Sequence, residues 1–141
     1  LIDEGVTRIG IINRTRERIL GLQEQFGSQI IEINETAAEQ ALATSDLLVN
    51  TTSLGMEGGT ALALDMRYLK PGALVADIIY APLETALLTK AKERGHPVLG
   101  GLGMLLHQAV RGFELWFGVK PEVTKELYDL VAADVQKAKR T

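Results

Sequence analysis

Short apolar runs rich in β-branched residues recur along this chain, each closing on a polar or glycine-rich cluster and each separated from the next by residues that are apolar at helical spacing. Residues 8–13 (Arg8-Ile9-Gly10-Ile11-Ile12-Asn13) read as a strand buried on both faces, as parallel strands are. A helix follows, with Thr15 as a hydroxyl cap, Glu17 in the positive first turn, Ile19, Leu22 and Phe26 as apolar positions, and Gly27 as its stop. The unit repeats: residues 29–33 as a strand, 35–43 as a helix, 46–50 as a strand. Residues 51–60, rich in Gly, Thr and Ser, form a loop.

After Lys70-Pro71-Gly72 the segment 74–79 is a buried strand, and a helix capped by Thr85 follows, with Leu87, Leu88 and Ala91 facing inward and Gly95 at its end. Residues 96–99 make a last short strand. Residues 103–117 are apolar nearly all round, which predicts a helix packed on several sides. Val123, Leu127, Leu130, Val131 and Val135 mark an amphipathic closing helix within residues 121–141, with Pro121 near its start. Strands alternating with helices predict an α/β fold, a Rossmann-like, mostly parallel sheet flanked by helices through right-handed crossovers. Ligands of such sheets sit at the carboxyl ends of the strands.

Composition narrows the partner. At 141 residues, 46% of them hydrophobic, the chain supports one core and one domain, partial or whole. A net charge of -3 with both signs interspersed supplies no basic field, so the expectation is no nucleic acid and no membrane, and a small molecule instead. The absence of cysteine removes thiolate chemistry and cysteine-based zinc sites, leaving His96 and His107 as soft ligands, and no metal is expected. Both histidines read as structural, His96 in a loop and His107 on a helix surface. No apolar run approaches the roughly 20 residues that a bilayer needs, and a cytoplasmic location is the expectation. Residues 1–5 read as the last turn of a helix ended by glycine, which predicts a chain cut from a longer one.

Asn13-Arg14-Thr15 follows a strand where a dinucleotide fold places an acidic residue on the adenosine ribose hydroxyl. A guanidinium there suits a phosphate instead. Its planar fork bonds phosphate oxygens bidentately, and a hydrogen bond of this kind contributes about 1.5–3 kcal/mol, or roughly ten- to a hundredfold for NADP over NAD. Arg16 and Arg18 either add to that potential or are solvated surface residues, and taken alone Arg14 also fits a surface role.

Four segments resemble, in order and spacing, the shikimate dehydrogenase family: Asn13-Arg14-Thr15; Asn50-Thr51-Thr52-Ser53-Leu54-Gly55-Met56; Asp77-Ile78-Ile79-Tyr80-Ala81-Pro82 with Thr85; and Gly101-Leu102-Gly103-Met104-Leu105 with Gln108. The resemblance implies reversible reduction of 3-dehydroshikimate to shikimate by hydride transfer from NADPH, in aromatic amino-acid biosynthesis. It also implies that Asn13, Arg14, Thr15 and Arg18 hold the ribose phosphate, that Thr51, Thr52 and Ser53 pass the middle of the cofactor, and that Ile78 and Gly101 border the nicotinamide. Tyr80 and Gln108 would reach the substrate. Gln108 lies one helical turn beyond Met104 on the same face, so its amide projects from an apolar helix toward the strand ends, or is satisfied at a helix interface. Tyr80 alone also fits a packing residue with a wet hydroxyl, and Asp77 a capping residue without a catalytic role.

The family's glycine-rich phosphate loop and first strand precede the segment ending at Asn13, so this chain is expected to lack both, and no Gly-x-Gly-x-x-Gly fingerprint occurs in it. The family's catalytic Lys and Asp belong to a domain not represented here; no residue of this chain is assigned a catalytic role, and the isolated chain is expected to be inactive. Without the central strand, two apolar edges would face solvent, favouring direct pairing of the flanking strands or a strand-swapped homodimer. A quinate/shikimate dehydrogenase, quinate-using or cofactor-promiscuous, a glutamyl-tRNA reductase-like enzyme, and a non-catalytic nucleotide-binding module are the alternatives.

Overall fold

The computed structural model describes residues 1–56, 59, 60, 62 and 64–138. The chain opens on a 3-10 turn, Ile2–Glu4, closed by Gly5 in the left-handed region. Five strands follow, β1 (Ile9–Ile11), β2 (Ile30–Glu32), β3 (Leu47–Asn50), β4 (Leu74–Asp77) and β5 (Val98–Leu99), with helices α1 (Arg16–Phe26), α2 (Ala38–Thr44), α3 (Ala86–Glu93), α4 (Gly101–Phe117) and α5 (Lys125–Ala138) between and after them. All strand pairings are parallel, and α1, α2 and α3 each connect one strand to a later one, as a wound α/β sheet requires.

The hydrogen bonds fall into two sheets, β1-β2 and β3-β4-β5. No ladder joins them among the described residues. β1 and β3 each have one edge unpaired, and Leu47 and Val49 on β3 remain partly exposed. The expectation that residues 8–13 form a strand covered on both faces fails, Ile9 and Ile11 being half-buried and Ile12 50% exposed, because parallel strands are hidden only where both faces carry helices. The strands are also shorter than the apolar runs: ladder bonding stops at Ile11 and Asp77 where the backbone turns into loops.

The main core joins α2, α3 and β4 through Leu42, Met66, Leu69, Ala73, Val75, Leu87, Leu88 and Ala91. Each large apolar side chain removed from water there contributes about 1.5–3 kcal/mol. The β1-α1-β2 unit has a thinner interior, with Ile19 and Ile30 buried and Phe26 largely exposed. Backbone carbonyls at its margins are met by amides, Gln23 donating to the Ile30 carbonyl at 3.1 Å and Gln29 to that of Val6 at 3.1 Å.

Two local expectations need correction. Thr15 occupies the N-cap of α1, but its hydroxyl makes no cap bond; the Asn13 carboxamide oxygen accepts the Thr15 N–H at 2.8 Å instead, because the chain turns two residues earlier. The second is α4, expected to be packed on several sides. Only Gly101 and Leu102 at its start are buried, while Leu115, Trp116 and Phe117 are exposed, Trp116 to 81%. The helix meets α5 along one side, and the tilted pair of Phe113 and Phe117, 4.5 Å apart, covers little of the rest.

Candidate functional site

The carboxyl end of β4 carries a buried carboxylate. Asp77, 2% exposed, accepts from the Asn50 amide (3.1 Å) and the Ile79 backbone N–H (3.1 Å) on one oxygen, and from the Thr85 hydroxyl (2.7 Å) on the other. Such a charge is tolerated away from water because three donors replace its hydration. Asn50, in register with Asp77 on β3, extends the network: its amide also reaches the Leu54 carbonyl (2.9 Å), and its oxygen accepts the Thr52 N–H and hydroxyl (3.0 and 2.8 Å). The Thr52 hydroxyl in turn accepts the Leu54 N–H at 3.0 Å. The loop after β3 is thus shaped by its own side chains and fastened to Asp77.

Thr85 closes the other side, its hydroxyl capping α3 by accepting the Leu88 N–H at 3.4 Å. Sequence reasoning gave Asp77 a capping role and no more. The Ile79 bond fits that reading, but the links to Asn50 and Thr85 come from residues 27 and 8 positions away, which no local pattern signals.

Gly101 begins α4 against the strand end. Its N–H donates to the Ile79 carbonyl at 3.1 Å, and a Cβ built on it would lie 2.1 Å from the Ile78 oxygen and 2.7 Å from that of Ile79. No side chain fits, so the start of α4 and the turn after β4 share one close backbone contact. Ile78 is half-buried beside this contact, and Thr51, Thr52 and Ser53 are exposed on the neighbouring loop. These five residues therefore lie along one edge, formed by the carboxyl ends of β3, β4 and β5.

Tyr80 follows on the same turn, exposed, ahead of a cis Ala81–Pro82 bond. Gln108 is exposed on α4, two turns or about 10 Å along the helix from Gly101. Asn13, Arg14 and Thr15 sit at the carboxyl end of β1 in the other sheet, with Arg18 one turn into α1. Arg16 is occupied, its Nε donating to both carboxylate oxygens of Glu32 at 3.2 and 3.1 Å. Arg14 and Arg18 are exposed and enter no ion pair among the described residues. Of the two histidines, His107 is exposed, while His96 is buried with Nδ1 3.2 Å from the Ala73 carbonyl, a structural contact.

Residues 101–125 match the family model described as "Shikimate 5'-dehydrogenase C-terminal domain". The NADP(+) shikimate dehydrogenase of Rhodopseudomonas palustris strain BisB5 is 54% identical over 135 residues, which cover 96% of this chain. The chain is kin to the C-terminal half of the shikimate dehydrogenases. It spans about half the length of the curated relatives it matches, 48% of that one. Among solved structures, the shikimate 5-dehydrogenase of Thermus thermophilus in complex with NADP(H) and shikimate superposes with a TM-score of 0.78 at 30% identity, covering 96% of this chain and 48% of that one. The quinate dehydrogenase of Corynebacterium glutamicum in complex with NAD gives 0.81 at 28% identity, covering 94% and 48%. The Rossmann-like fold expected from the sequence is shared with both.

Proposed function

We propose that residues 1–141 form a partial NADP-binding Rossmann domain of a shikimate dehydrogenase, with residues 121–141 as its closing segment, of which 139–141 lie outside the described residues. The whole enzyme reversibly reduces 3-dehydroshikimate to shikimate in the cytoplasm, with NADPH supplying the hydride. The observation that carries this reading is Arg14: an exposed guanidinium with no ionic partner among the described residues, at the carboxyl end of β1, beside a backbone turn fixed by Asn13. A free planar fork in that place suits the 2′-phosphate. Arg18 adds positive potential, and Asn13 and Thr15 offer polar groups to the ribose.

The other end of the cofactor has a fitting cradle. The close backbone contact of Gly101 with Ile78 and Ile79 holds the start of α4 against the strand end, where Ile78 and Gly101 border the nicotinamide and Thr51, Thr52 and Ser53 flank the path of the cofactor. Tyr80 and Gln108 present a phenol and an amide to substrate hydroxyls. No acid–base pair for the proton that accompanies the hydride is assigned in this chain, so the isolated chain binds NADPH without turning over.

Parallel titrations of the chain with NADPH and NADH test the reading, followed by Arg14→Ala. The expected preference for NADPH is roughly ten- to a hundredfold, and the variant abolishes it. Equal affinities in the unaltered chain, or an undiminished preference in the variant, would refute the assignment. The superposition on quinate dehydrogenase favours a second reading, a quinate-using relative, which substrate competition in a full-length enzyme carrying this half would distinguish.

A further inference from the structure

We infer that Asp77 is a positioning residue, fixing the cofactor-side loop after β3 and the substrate-side turn after β4 as a single piece; the inference rests on the cofactor reading above. Asp77 is one of very few buried charged or polar side chains among the described residues, and its three donors come from three separate segments: Asn50 at the end of β3, Ile79 in its own turn and Thr85 at the cap of α3. Through Asn50 the network continues to Thr52 and Leu54, so two donor–acceptor steps lead from the carboxylate to the loop that carries Thr51, Thr52 and Ser53. Through Ile79 it reaches the residue whose carbonyl receives the Gly101 N–H, and the same turn leads on to Tyr80.

A carboxylate is the group this junction needs. All three partners donate, and the Thr85 hydroxyl is already accepting from the Leu88 N–H. An amide at position 77 would offer one acceptor oxygen and one NH2, so either Thr85 or the Asn50–Ile79 pair would face a donor where it now has an acceptor. The fold's main core, centred on Val75, Leu87 and Leu88, includes none of these polar side chains. The change therefore loosens the loop more than the domain.

The experiment uses the full chain, with Asp77→Asn, Thr85→Val and Thr85→Ser. Calorimetric titration with NADPH and NADH is read together with amide hydrogen exchange at Thr52, Leu54 and Ile79 and with Tm. In Asp77→Asn and Thr85→Val, both nucleotides are expected to bind roughly tenfold more weakly, at unchanged stoichiometry and an unchanged NADPH-to-NADH ratio. Exchange at Thr52 and Leu54 rises at least as much, while Ile31 in β2 keeps its rate. Thr85→Ser, which retains the hydroxyl, restores both. Thr85→Val also removes the α3 cap and lowers Tm on its own account, so a purely structural role is read in Asp77→Asn, where it would lower stoichiometry and Tm together and accelerate exchange throughout. Unchanged exchange at Thr52 and Leu54, or loss confined to stoichiometry, overturns the inference even where NADPH binding is intact. Failure of the unaltered chain to bind NADPH overturns the cofactor reading, and the exchange data then still decide whether Asp77 joins the two segments.

Discussion

Replacing Gly101 by Ala should be among the most damaging single-methyl additions available to this chain. The new Cβ would stand 2.1 Å from the Ile78 oxygen, 2.4 Å from its carbonyl carbon and 2.7 Å from the Ile79 oxygen, all backbone atoms with no rotamer to change. Relief requires roughly 1 Å of separation between α4 and the strand end, and over-packing of this kind costs about 1–3 kcal/mol. The movement also breaks the Gly101 N–H bond to Ile79, about 1 kcal/mol more. The combined loss of about 2–4 kcal/mol, at roughly 4 °C per kcal/mol for a domain of this size, lowers Tm by about 8–16 °C. Thermal and urea unfolding followed by circular dichroism would measure it. Gly103→Ala is the internal control, since nothing lies within 4 Å of a Cβ there and the substitution favours a helix by up to about 1 kcal/mol. A Gly101→Ala chain as stable as the unaltered one, or a Gly103→Ala chain equally damaged, would refute the steric argument.

Leu102→Ala, at a side chain only 1% exposed, should cost about 2–5 kcal/mol in urea unfolding. The Asp65 carboxyl, hydrogen-bonded by the Arg67 side chain and backbone, is held down to about 2. Because its folded pKa is depressed, the pair's small stabilising effect is present above the ordinary aspartate range and disappears as pH falls toward 2, and an NMR titration of Arg67→Ala should show the midpoint returning toward 3.8. The sole tryptophan, Trp116, should emit like indole in water and be readily quenched by acrylamide in dilute solution. A blue shift that grows with concentration would instead report association of copies through α4.

The order of strands and helices is legible in the sequence because period and punctuation agree: β-branched runs end on polar residues, and Gly5, Gly27 and Gly95 stop their segments at positive φ. The inward face of α3 follows from the same pattern, Leu87, Leu88 and Ala91 all being buried. What the pattern misses is partnership at a distance. Asn50, Asp77 and Thr85 are ordinary polar residues until the parallel register of β3 and β4 brings the first two side by side. The all-round apolarity of α4 misleads for a related reason, since composition reports what a surface favours and not whether this chain supplies the cover. Arg14 is read correctly as a residue after a strand, whereas the pairing of its neighbour Arg16 with Glu32, a contact across 16 positions, is not legible locally.

The uneven distribution of core between the two sheets has a thermodynamic corollary. With Ile19 and Ile30 as its only buried apolar side chains among the described residues, the β1-α1-β2 unit should open at a fraction of the free energy that melts the rest, and its amides should exchange first. Arg14 rides on that weaker unit. A nucleotide gripping both halves would then act as a brace, slowing exchange most in the unit with the thinner interior, and its measured affinity would include the work of suppressing that opening.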